Sequence, residues 1–147
     1  MALATRLDAI VNVIQLSVAP VFLLTGIGAI LGVMAQRLAR VIDRARQIEP
    51  LVNDQNTADD AALHEEYRAL GRRARAINRA ITLCVLSALL VCAVIVGLFV
   101  SSYYAWSPDL TRWVAGIFGA ALLALITGLL FFLREVYDAT KTLRIGK

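Results

Sequence analysis

This chain of 147 residues is short of the groups that most soluble chemistry draws on. It has one histidine, His64, and two cysteines, Cys84 and Cys92, eight residues apart inside one apolar run. A lone histidine cannot build a metal site, and the cysteines lack metal-ligand spacing, so they read as small packing residues. His64 stands beside Glu65 and Glu66 and reads as a solvated helix residue. No Asp, Glu, Lys, Arg or His falls in the central part of the three longest apolar runs. Proton relays, ion-coupled carriers and voltage sensors keep such groups despite their cost in lipid, and none is available here. An intramembrane hydrolase is disfavoured as well, because the apolar runs hold no paired acids and no nucleophile with a basic partner, and the chain has no HExxH sequence. The expectation is a protein that is not an enzyme and carries no cofactor or metal.

What the chain has in excess is apolar residues, at 59%, where ordinary soluble domains run at about 45–50%. The excess is concentrated in residues 14–35, 81–105 and 113–133. A bilayer's hydrocarbon core is about 30 Å thick and takes roughly 20 residues of helix to cross. All three runs are that long. Lipid offers the backbone no hydrogen-bond partner, so each run must be helical. The first run lacks the basic start and short apolar core of a signal peptide and reads as a retained span.

Charge orients the spans. Nine of the fifteen Lys and Arg lie between the first two runs and four follow the third, leaving Arg6 and Arg112 for the opposite side. By the positive-inside rule the long connection and the carboxyl terminus are cytoplasmic and the amino terminus is outside. Tyr103, Tyr104, Trp106 and Trp113 bracket the short outer connection, as an interfacial aromatic belt does. With Tyr67 as its lone aromatic, the arginine-rich connection is not a nucleic-acid surface.

The chain then divides as one membrane domain. Residues 1–15 form an amphipathic helix at the outer interface, 16–36 span one and 37–80 a cytoplasmic helical hairpin. Residues 81–105 form span two, 106–112 an outer loop, 113–133 span three and 134–147 a cytoplasmic tail. Pro20 is a place for a kink in span one, and the first helix is expected to stop near Pro50, before a polar turn over residues 53–60. Met34, Leu38, Val41, Ala45 and Ile48 alternate four and three apart, as do Leu63, Tyr67, Leu70, Ala74, Ile77 and Ile81. That is the seam of a coiled coil. The fold class is therefore an all-α integral membrane protein: three transmembrane helices, with a cytoplasmic antiparallel, coiled-coil-like hairpin between the first and second.

Small residues mark the helix faces. Gly116, Ala120, Ala124 and Gly128 recur every fourth position, and Thr25, Gly28, Gly32 and Gln36 share a face of span one. Such rows let helix backbones approach closely in lipid. The span-one face has a second reading, as the lining of a narrow pore in a symmetric oligomer. At the inner membrane boundary Arg37, Arg40, Asp43, Arg44 and Arg46 meet Arg75, Arg79, Arg134, Glu135 and Asp138. The acids either tie helix ends together through arginines or simply accompany stop-transfer charges and phospholipid contacts.

The residues 14–15 and 19–24, the run from Arg37-Leu38-Ala39-Arg40 to Asp43-Arg44-Ala45-Arg46, Ile77-Asn78-Arg79-Ala80-Ile81 and Phe132-Leu133-Arg134-Glu135-Val136 resemble the bacterial membrane family catalogued as domain of unknown function 2721. The resemblance covers about 120 residues and implies a three-span protein of the bacterial inner membrane, with no activity attached. Two functions compete: a homo-oligomeric assembly that forms a channel for ions or small solutes, and a non-conducting scaffold whose hairpin binds a cytoplasmic protein partner or anionic lipid.

Overall fold

A computed structural model describes residues 2–53, 61–103 and 108–143, with side-chain surroundings for 11–52, 61–100 and 112–137. Every described residue belongs to one of three α-helices: α1 (Ala2–Asn53), α2 (Ala61–Tyr103) and α3 (Pro108–Leu143). α1 runs unbroken through Pro20 and Pro50, ending three residues beyond the stop expected at Pro50. Pro20 offers no N–H to the carbonyl of Leu16, yet lies buried inside the helix. α3 opens on Pro108, where a missing N–H costs nothing because the first turn has no acceptor for it. The helices take in residues assigned from sequence to the outer loop and the tail.

Each helix is long and apolar enough to cross a membrane. Only 17%, 22% and 17% of the residues in their most apolar windows are buried within the protein. The rest of that surface needs an apolar medium. Phe22 is 73% exposed, Leu89 62% and Leu133 63%. A water-soluble monomer rarely carries contiguous apolar surface on this scale. The three helices thus define a multi-pass membrane protein.

Two compact units make up the chain. The first combines Met1–Ile30 with Leu83–Ile126. Its buried residues are Val13, Ser17, Pro20 and Ile27 on α1, Cys84, Ser87, Val91 and Val94 on α2, and Ala121 on α3. Their spacings of three, four and seven are those of a heptad seam. Ser87 Oγ donates to the Ala121 carbonyl at 2.7 Å, and Gly97 comes so close to Val114 that a Cβ there would lie 3.2 Å from its Cγ2. The later α2 residue meets the earlier α3 residue, so contact order is reversed along the two helices. Elsewhere in this unit hydroxyls turn inward on their own helix: Ser17 donates to Val13 O at 2.8 Å and Thr25 to Val21 O at 3.3 Å. Such bonds keep a hydroxyl satisfied where lipid supplies no partner.

The second unit combines Leu31–Thr82 with Thr127–Lys147. Met34, Ile48, Leu70, Ile77, Ala80 and Gly128 are buried in it, and Leu38, Val41, Ala45, Leu63, Ala74 and Ile81 half-buried. Of the residues in the two expected seams, Tyr67 alone is exposed. Glu135 is also buried, with 9% of its surface accessible.

Candidate functional site

Two surfaces carry the residues that sequence singled out. The first is the small-residue face of α1, where Thr25, Gly28, Gly32 and Gln36 are all exposed. A Cβ added at Gly28 or Gly32 would meet no atom within 4 Å. Among the described residues nothing packs closely against either glycine. On α3, Gly116 and Ala120 are exposed, Ala124 is half-buried and Gly128 buried. Four-residue steps drift by roughly 40° each on a helix of 3.6 residues per turn, so such a row cannot keep to one neighbour. The seven-residue step from Ala121 to Gly128 drifts only about 20° and stays on the buried side.

The second surface is the arginine-rich part of the second unit. Arg44 donates through Nε and Nη2 to the same Glu66 oxygen, at 3.1 and 2.9 Å. Glu66, on α2, has no part in the boundary cluster read from the sequence. The guanidinium of Arg37 lies 5.5 Å from the centre of the Phe132 ring, joining α1 to α3 by a cation–π contact. Glu135 is buried one helical turn beyond Phe132. Asp43, Arg46, Arg79 and Arg134 are exposed, and Asp43 makes no ion pair among the described residues. The side chain of Asp138 lies outside the described residues, as do those of Tyr103, Tyr104 and Trp106, while Trp113 is 72% exposed. His64 is half-buried in the first turn of α2.

Three further arginines lean in a common direction along their helices. Side chains on a helix lean toward its amino terminus. Arg40 Nε reaches back to the carbonyl of Gln36, and Arg75 Nε to that of Gly71, at 3.4 and 3.2 Å. Arg72 reaches back to Glu65 at 3.8 Å. On α1 the apolar span comes before the arginines, so leaning back carries their charge toward the membrane. On α2 the span comes after them, so the same lean carries charge away from it. Around Gly71 the α2 arginines border an open groove of about 520 Å³, lined by Tyr67, Arg68, Gly71, Arg72 and Arg75.

No group of three or more His, Cys, Asp or Glu that could hold a metal ion occurs among the described residues. This is the anatomy of a three-span membrane protein with a strongly basic extension of its first two helices. The chain belongs to the family described as "Protein of unknown function (DUF2721)", whose model matches residues 17–145. No curated protein and no solved structure matches it.

Proposed function

We propose that the protein is a non-enzymatic, homo-oligomeric assembly of the bacterial inner membrane. The observation that carries this reading is the open face of Thr25, Gly28, Gly32 and Gln36. Glycine in a helix interior gives up about 1 kcal/mol against alanine. In lipid that loss is offset where another backbone packs close, and among the described residues nothing packs there. A second copy is the simplest source of the missing backbone. Three helices are too few to enclose an aqueous path, so a conducting form would run its path between protomers, beside this face.

In this reading residues 37–80 form an antiparallel hairpin on the cytoplasmic side. The Arg44–Glu66 bridge supports it, because its two members flank the polar connection from either helix. The bias of thirteen Lys and Arg against two supports an amino terminus outside and a carboxyl terminus inside.

Native mass measurement in mild detergent tests the assembly. The wild type is expected at a multiple of 16.0 kDa, and Gly32→Leu at the protomer mass with an unchanged helix content. A monomeric wild type overturns the proposal. Ion flux from loaded liposomes tests conduction separately: tight vesicles across a broad ion panel would leave an assembly that is not a channel.

A further inference from the structure

We propose that the groove around Gly71 is a binding site for a soluble, multiply charged phosphoanion of the linked-phosphate type. Arg68, Arg72 and Arg75 bring three guanidinium groups to one side of one helix, within two turns. Between them Gly71 leaves a floor with no side chain and nothing within 4 Å of where a Cβ would stand. Tyr67 also lines it, with a phenol that can donate a hydrogen bond. The volume of about 520 Å³ falls within the rough 300–1,000 Å³ range of small-ligand sites. Guanidinium is the side chain best matched to phosphate, since it offers a planar fork of donors and stays charged. Linked phosphates pack several negative charges into a group compact enough for this groove. Carboxylates on a peptide are carried on flexible side chains spread over several residues, and match three guanidiniums on two turns of one helix less well.

A lipid headgroup carries the same phosphate chemistry, but the geometry favours a soluble source. Gly71 precedes the start of the second apolar run by ten residues, or about 15 Å of helix. The headgroup layer on each side of a bilayer is only about 5–8 Å deep. Arg75 donates to Gly71 O and Arg72 reaches Glu65, so both guanidiniums are drawn away from the span rather than toward it. Arg72 and Arg75 keep donors for a ligand, because Arg75 spends one N–H on Gly71 and the Arg72–Glu65 pair is long and exposed. The inference does not depend on self-association.

Calorimetric titration of the full chain in phosphatidylcholine nanodiscs with tripolyphosphate tests it. Saturable binding is expected, with Arg72→Gln and Arg75→Gln each weakening it about tenfold or more. Arg112→Gln, which lies beyond the second apolar run in the sequence and does not line the groove, is expected to leave it unchanged, and thermal melts confirm that the variants fold. Binding that fails in the wild type, or falls equally in Arg112→Gln, overturns the site. Repetition in phosphatidylglycerol nanodiscs separates the sources: saturable binding should persist there, and its complete loss would mean that lipid phosphates occupy the arginines. A hexaglutamate peptide that binds more tightly than tripolyphosphate would overturn the proposal in favour of an acidic protein segment.

Discussion

The hydroxyl of Ser87 on α2 donates to the carbonyl oxygen of Ala121 on α3 at 2.7 Å, with neither residue exposed. Ala121 can accept because a carbonyl has a second lone pair beyond its helical bond. The contact makes Ser87 both a small residue that admits a neighbouring helix and a polar tie to it. Interhelical hydrogen bonds in membranes average about 0.6 kcal/mol and reach roughly 1.7. Ser87→Ala is expected to lose an amount in that range in a reversible detergent-unfolding assay. Ser87→Leu is expected to lose more, about 1–3 kcal/mol, by overpacking a fully buried site. Ser17→Ala is the comparison, since the Ser17 hydroxyl bonds only its own helix. Equal losses in Ser87→Ala and Ser17→Ala would remove the interhelical role.

The Arg44–Glu66 pair links two helices, but its side chains are 55% and 45% exposed. Exposed ion pairs couple by about 0.2–1 kcal/mol and weaken with salt. A double-mutant cycle with Arg44→Ala and Glu66→Ala is expected to give coupling in that range, reduced by at least half in 1 M salt. The same cycle on Arg44 and Asp43 is expected to give none. Coupling to Asp43 as large as to Glu66 would contradict the geometry.

Arg37 over the Phe132 ring gives a third test. Phe132→Leu keeps apolar bulk while removing the ring quadrupole, and should cost about 0.5–1 kcal/mol in thermal unfolding. Phe132→Trp should retain the contact, Trp being the strongest cation–π partner. A Leu variant as stable as wild type would assign the arrangement to packing alone.

How much of this was legible in the sequence depends on contrast. In the basic arms polar residues alternate with apolar ones, so Leu38, Val41, Ala45 and Ile48 stood out as a seam. They are at least half-buried in the structure. The same four-three spacing continues back through Met34, Leu31, Ile27, Leu24, Pro20, Ser17 and Val13, all buried or half-buried. Inside an apolar run every face looks alike, and lipid and protein neighbours are equally apolar, so hydropathy carries no phase there. In the row from Gly116 to Gly128, residue size shows where close approach is possible but not which neighbour uses it.

Ion pairs were harder still. Nine arginines between two spans argue for a topology by number alone, but each side chain is long and flexible and can choose among several acids. Only packing of the helices brings Glu66 rather than Asp43 to Arg44. What sequence could have given is the direction of lean, since chain order alone decides whether an arginine points back toward its span or out from it.

In the proposed topology three crossings set the connection between α1 and α2 on the opposite side of the membrane from the connection between α2 and α3. Single cysteines at Asn56 and at Ser107, in a Cys84→Ala, Cys92→Ala background, can be probed in intact cells with a membrane-impermeant maleimide. Labelling is expected at position 107 in intact cells, and at position 56 only after the membrane is permeabilised. Labelling of both positions in intact cells, or of position 56 alone, would contradict it.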